Sequence, residues 1–473
     1  MRSCSIRIAI ISLLLFGSGS WAQLPKAPPN PGPDERYKAD IFLIVAHPDD
    51  DNVVAGYLAR AIFDQHKRVA AVFCAVGDGG ANWVGNEGGA ALGQMRILET
   101  RRSLEFLGVT NVWFLGGHDT PGQDVLWALE NWNHGRALDE IVRLVRITRP
   151  EVILTWLPAY SAGENHDDHQ AASVLANEAF DMAGDPTVFS EQVSMSRDPH
   201  SIMNMTEGLH PWQPKKIYYF SDSFEAFGRL FPGATDTSSP FRKSFLTGEG
   251  PAYSNADISP SHHVSYGHLA AEAIGFYLTQ YGNMGPEAIA KGHLSGFERT
   301  VTLVFGKSVV QSSVTGDVFE GITPGAVPFV RAPGYQPQTH EGLSLELGEP
   351  WSFYQEFWKA HGIDHLAQLL PVPEVAIGFG SALHVPLIIR NATGNPEEVS
   401  VTVALPKGWT EKAGSARYSV GAQELYPVQA VFYAPASGNR EWQEIAWKAE
   451  AAGRQIGSIT IRVLVGIGGG LPQ

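Results

Sequence analysis

Two short stretches gather the side chains best able to do chemistry. "AHPDDD" at residues 46–51 supplies His47, Asp49, Asp50 and Asp51, and "ENHDDH" at 164–169 supplies His166, Asp167, Asp168 and His169. Three adjacent carboxylates repel one another, so the first stretch needs either full solvation or a compensating cation. His47 and Asp50 are three residues apart, and the second stretch offers further imidazoles. A His/Asp/His set drawn from the two would present mixed nitrogen and oxygen ligands. Such a set suits zinc, and three protein ligands leave one position open.

An open position on a cation is a place for hydrolysis, because a bound metal lowers the pKa of water. A carboxylate that is not a ligand can take the proton, and Asp49, beside Asp50, is available for it. A spare His in the second stretch can steady developing negative charge. These residue types suffice for metal-assisted hydrolysis of an amide or ester. Taken alone, "DDD" reads more simply as a helix N-terminus, where acids are favourable. Two such clusters, each following an apolar strand, argue against that simpler reading.

The elements that must hold these clusters follow a strand–helix rhythm. "DIFLIVA", "RVAAVFCAV", "NVWFLG" and "EVILTWL" are near-continuous apolar runs, as strands covered by helices on both faces are. Helical patterns lie between them at roughly 52–66, 93–107, 136–148 and 168–182. The expectation is an α/β domain over 38–295, with a Rossmann-like parallel sheet and helices on both faces. Ligands in such sheets collect at the carboxyl ends of strands, which is where both clusters fall. "PKKIYYFSD" at 214–222 reads as a further strand and "SYGHLAAEAIGFYLTQYG" as one helix, whereas 296–372 is a connecting region without a clear pattern. From 373 to 473 apolar residues alternate with period two, as in "VSVTV" and "SITIRVLVG", with turn-rich stretches between. This predicts an immunoglobulin-like β-sandwich.

The N-terminus has Arg2 and Arg7 before "IAIISLLLF" and then "GSGSWAQ", the order of a secretory signal at 1–22 with a cut after Ala22. A Pro-rich lead-in fills 23–37. The apolar run is too short to span a bilayer, and no other stretch reaches transmembrane length. An exported protein, periplasmic or extracellular, is expected. Net charge is −15, and −17 without the signal (32 basic against 49 acidic residues), which disfavours nucleic acid as a partner. With Cys4 in the signal, Cys74 stands alone and no disulfide framework exists.

"AHPDDD" after a strand, with "HDDH" about 120 residues later, resembles the PIG-L/LmbE-type N-acetylglucosaminyl deacetylase family over roughly 38–290. The resemblance implies a zinc ion, another divalent metal being open, and removal of an acetyl group from an N-acetylated sugar or glycoconjugate. By motif position it implies His47, Asp50 and His169 as metal ligands and Asp49 as general base. His166 would stabilise the oxyanion or protonate the leaving amine, and Asp168 would orient a ligand. Asp51 stands where the family has Glu, and Asp167 where it has Pro. Neither is an implied ligand, but a contact made by the shorter Asp51 would shift. Arg96 and Asp119 resemble family residues that contact substrate. The simpler readings are an Arg96–Glu99 pair on a helix surface and a turn at Asp119.

The Gly-rich "VGDGGANWVGNEGG" at 76–89 lacks the G-x-G-x-x-G and P-loop signatures, and reads as a loop over the site. Trp127, Trp132 and His134 could stack on a sugar, with helix packing the more ordinary role. His262, His263 and His268 read as structural. Two other readings compete with the deacetylase: a metal hydrolase of a different amide or ester, and a carbohydrate-binding protein on a degenerate deacetylase fold. Glycan contact through the C-terminal domain fits either.

Overall fold

The computed structural model describes residues 32–159, 165–194, 208–221, 249–337, 339–369 and 372–466. The signal-like segment lies outside them. The first sheet takes β1 (Ile41–Val45), β2 (Val69–Ala75), β3 (Asn111–Gly117), β4 (Val152–Trp156) and β5 (Lys216–Phe220). Its strand order is β3-β2-β1-β4-β5, all parallel. β1 and β4 are central neighbours, and chain progression reverses between them. Their carboxyl ends therefore flank the crevice where open α/β sheets bind ligands.

Helices cover both faces, and β1 shows why its run is continuously apolar. Phe42 and Ile44 enter one buried cluster, with residues of α3 (Val125–Asn131), α4 (His134–Thr148) and α5 (Asp167–Met182). Ile41, Leu43 and Val45 enter the other, with residues of α1 (Ala55–Ala59) and Leu104 of α2 (Gly89–Phe106). Apolar burial on both faces stabilises each strand by about 1.5–3 kcal/mol per large side chain. Cys74, on β2, is buried in this core.

The stretch expected as one helix at 265–282 is broken. α6 (Tyr266–Ile274) ends at Gly275, and the separate short α7 (Leu278–Tyr281) follows, then α8 (Met284–Lys291). The break turns Tyr277 and Tyr281 onto the "HPDDD" turn.

The described residues of 296–372 contribute strands to three sheets. Within it, β7 (Thr300–Thr302) pairs with β6 (Ala252–Ser254), and β8 (Val304–Ser308) adds an antiparallel edge to β5. β9 (Leu343–Leu347) instead joins a C-terminal sheet, pairing with β11 (Ala382–Asn391). α9 (Trp351–His361) docks on the α/β part: Tyr354 donates to Gln170 Oε1 at 2.8 Å and Trp358 Nε1 to the Pro158 carbonyl at 2.7 Å.

The remaining strands are β10 (Glu374–Ile377), β12 (Glu397–Ala404), β13 (Thr410–Ala413), β14 (Ala416–Val420), β15 (Glu424–Tyr433), β16 (Glu441–Ala451) and β17 (Arg454–Val465). They form sheets of order β10-β17-β16-β12-β14 and β13-β15-β11-β9, antiparallel but for the β10–β17 pair. Alternate residues, such as Leu383, Val385, Leu387 and Ile389 of β11 and Ile445, Trp447 and Ala449 of β16, fall into one buried cluster. Among the described residues no helix is long and apolar enough to cross a membrane.

One clamp ties these parts together. Asp181, near the end of α5, accepts from Lys307 of β8 and pairs with His361 Nδ1 of α9 at 2.6 Å. Removing the acid strands a largely buried ammonium. Asp181→Ala is therefore expected to lower unfolding free energy by about 3 kcal/mol. Urea denaturation followed by tryptophan fluorescence checks this, and an unchanged midpoint would show that the clamp contributes nothing.

Candidate metal centre

Asp50 is fixed before anything binds. Its Oδ2 accepts three hydrogen bonds, from the Ala46 and His47 amides at 2.9 Å each and from Trp156 Nε1 at 2.7 Å. The amides belong to the turn after β1, and Trp156 is the last residue of β4. Oδ1 is left facing inward, 3.2 Å from His169 Nε2 and 3.8 Å from His47 Nδ1. Burial alone would raise the Asp50 carboxyl's pKa. The neighbouring His169 and His47 outweigh it and hold the group well below the usual range.

Each imidazole has its own support. His47 Nε2 lies 3.0 Å from Asp168 Oδ2, which also accepts from the Thr120 amide at 2.8 Å. Burial opposes protonation of the ring, but Asp119, Asp168 and Asp50 prevail and push its pKa well up. A carboxylate can only accept, so Nε2 carries a proton on Asp168, with Nδ1 toward Asp50. This is the usual carboxylate support of a metal-binding His. His169 stacks on Trp156, with ring centroids 3.8 Å apart and planes at 7°. Burial pushes its pKa down to about 4 despite Asp50, whose Oδ1 lies 3.2 Å from its Nε2. His166 precedes α5, and its Nδ1 is 3.1 Å from Asp167 Oδ1. Burial opposes its protonation, but Asp167 prevails and raises its pKa.

The three acids of "DDD" sit in three environments. Asp50 points inward. Asp49 is half-buried, has φ 112°, and accepts from Tyr281 Oη at 2.9 Å. Burial and the adjacent Asp50 push its pKa well up. Asp51 is not the solvated helix-starting acid its position suggests. It is fully buried, accepts from Tyr277, and burial pushes its pKa up to about 7.

The structure thus brings together His47, Asp50 and His169, with Asp49, His166 and Asp168 around them. Among the described residues three groups each place one donor atom per residue within 4.8 Å of the others: His47, His166 and His169; His47, Asp119 and Asp168; and His166, Asp167 and Asp168. Asp50 belongs to none of these groups, although its Oδ1 lies 3.2 Å from His169 Nε2 and 3.8 Å from His47 Nδ1. His47 Nε2 and one oxygen of Asp168 are hydrogen-bonded to each other.

Asp119 lies at the edge of this space. Its Oδ2 accepts from the Gly79 amide at 3.0 Å, and Oδ1 is 3.8 Å from His47 Nε2. Arg96 is placed differently from either expectation. Its buried guanidinium donates to the carbonyls of Gly77 at 2.7 Å and Ala81 at 2.9 Å, holding the Gly-rich loop from beneath. Glu99 pairs not with it but with Thr279. A Cβ on Gly77 or Gly80 would fall within 2.8 Å of that guanidinium, which is why the loop carries glycine there. Trp132 is buried with Nε1 on the His118 carbonyl, His134 pairs with Glu178, and Trp127 remains half-exposed. His262 stacks on Phe63 and His268 pairs with Glu272.

Sequence reading missed Trp156, Thr120, Tyr277, Gln280 and Tyr281. Trp156 ends an apolar run, Thr120 lies 48 residues from Asp168, and the three others lie more than 220 residues from the turn they touch.

Residues 42–180 match the PIG-L family model, described as GlcNAc-PI de-N-acetylase, a span that contains both clusters. A 1D-myo-inositol 2-acetamido-2-deoxy-alpha-D-glucopyranoside deacetylase of Streptomyces scabiei is 30% identical over 179 residues, 34% of this chain and 55% of the relative. A diacetylchitobiose deacetylase of Thermococcus kodakarensis is 31% identical over 166 residues, 34% of this chain and 57% of the relative. The chain thus spans about half the length of these curated relatives. A solved N,N'-diacetylchitobiose deacetylase from Pyrococcus horikoshii aligns over 41% of this chain and 67% of that chain, at 20% identity and a TM-score of 0.31.

Ala substitution at His47, Asp50 or His169 is expected to cut bound zinc, because each removes one of three donors. Asp168→Asn should retain zinc with about 10–100-fold weaker affinity, since it loosens only the support of His47. Competition titration with a chromogenic chelator checks both. Full zinc affinity in His169→Ala would contradict the donor set.

Proposed function

We propose that the chain is a metal-dependent amidohydrolase that removes the acetyl group from an N-acetylglucosamine-type substrate. The observation that carries this reading is the division of labour at the end of β1. Asp50 is pinned toward two supported imidazoles, while its neighbour Asp49 is held by a different partner. The donor set of two ring nitrogens and one carboxylate oxygen fits zinc. When bound, the cation supplies Lewis-acid polarisation of the acetamide carbonyl and acidification of water.

The chain's own residues do the rest. Asp49, half-buried, accepts the proton of the attacking water in its ionised form, which a bound cation would favour. His166, whose protonation Asp167 favours, donates a hydrogen bond to the developing oxyanion and then a proton to the leaving amine. Asp168 and Trp156 hold His47 and His169 in place throughout. The substrates named in the relatives, 1D-myo-inositol 2-acetamido-2-deoxy-alpha-D-glucopyranoside and diacetylchitobiose, support the substrate class. The N-terminal segment supports export as part of the same proposal.

Acetate release from a panel of N-acetylated sugars, with an N-acyl amino acid as control, tests the class. Release from the amino acid alone would contradict it. Asp49→Asn should keep zinc while kcat falls roughly 10²–10⁴-fold. The pH profile should be bell-shaped. Asp49 must be ionised, so activity is lost as pH falls through its pKa, and His166 must be protonated, so activity is lost as pH rises through its own. His166→Ala should abolish the alkaline limb and leave the acidic one.

A further inference from the structure

A short segment far from both clusters grips the first of them at three successive points. Gln280 Nε2 donates to the Pro48 carbonyl at 2.5 Å, Tyr281 Oη to Asp49 Oδ2 at 2.9 Å, and Tyr277 Oη to Asp51 Oδ1. The same segment is anchored behind. Thr279 donates from its amide to Glu99 Oε1 at 3.0 Å and from its hydroxyl to Glu99 Oε2 at 2.6 Å, which fixes it to α2. The Thr279 carbonyl accepts from the Trp83 amide at 2.9 Å, which ties it to the Gly-rich loop. Residues 277–281 lie outside the span 42–180.

What they grip is strained. Asp49 has φ 112°, in the region that favours glycine, at a cost of about 1–3 kcal/mol. Such a conformation persists only where the surroundings over-determine it. Here the Pro48 carbonyl before it and the Asp51 carboxylate after it are both fixed by this segment. Asp49's own carboxylate is tied to Tyr281.

We propose that Tyr281 is a positioning residue: its hydroxyl holds the Asp49 carboxylate off the cation site and aims it as the proton acceptor, with Tyr277 and Gln280 fixing the backbone on either side. This rests on the reading of Asp49 as base. The segment thereby contributes to the site from beyond the matched span 42–180.

A double-mutant comparison separates the two claims. Wild type, Tyr281→Phe, Asp49→Asn and the double variant are assayed on diacetylchitobiose, with zinc affinity and thermal midpoint measured for each. Tyr281→Phe should leave zinc affinity and midpoint unchanged, lower kcat by about 10–100-fold and move KM less than twofold, as a misplaced base does. In the Asp49→Asn background the same change should cost nothing further. A crystal structure of Tyr281→Phe, which needs no substrate, should show the Asp49 carboxylate displaced with His47, Asp50 and His169 unmoved. An unmoved carboxylate, or equal kcat losses in both backgrounds, overturns the proposal. Full turnover by Asp49→Asn overturns the base assignment itself, and this inference with it.

Discussion

The buried carboxylate of Asp50 is the interaction on which the rest depends. A carboxylate taken out of water is costly unless it is paired and hydrogen-bonded. Here one oxygen is satisfied by three N–H donors that only the β1–β4 pairing brings together. Two donors are backbone amides at the end of β1, and the third is an indole at the end of β4. The sheet register therefore determines the orientation of Asp50, and that orientation determines which oxygen is left for a cation. Trp156 serves twice, since the indole that holds Asp50 also presents its face to His169.

Around this anchor, identical side chains acquire different properties from their surroundings. Asp50 is held ionised by two imidazoles. Asp51, one residue on, is buried against a tyrosine, and its pKa is pushed up to about 7. Asp49 is strained, reachable and held by another tyrosine. Asp167 and Asp168, both fully buried in the first turn of α5, each support a different His. The helix N-terminus favours both as anions. Separate environments, more than residue type, give these five carboxyl groups different roles.

Much of this was legible in the sequence where the signal is local. Apolar runs ending in "AHPDDD" and "EVILTW" located two central strands, and His47, Asp50, His166 and His169 at their ends are brought together in the structure. Long-range pairing was not legible. β9, "LSLEL", alternates over only five residues, too few to reveal its partner β11, and nothing local shows which sheet β8 joins. Gly275 breaks a sequence that otherwise reads as one helix, and that break delivers Tyr277 and Tyr281. Arg96 looked like a helix-surface cation because nothing local shows that a loop folds over it. The contact that Asp51 makes was not legible because its tyrosine lies 226 residues away.

The central claim is that a single cation is held by His47 Nδ1, Asp50 Oδ1 and His169 Nε2. A crystal structure of the zinc-loaded protein, with anomalous data collected on both sides of the zinc edge, tests it most directly. The account predicts one peak bonded to those three atoms, with Asp49 still on Tyr281 and Asp168 still on His47 Nε2. A peak bonded instead to His47 Nε2, Asp119 and Asp168, or one that draws Asp49 into its coordination, would contradict it.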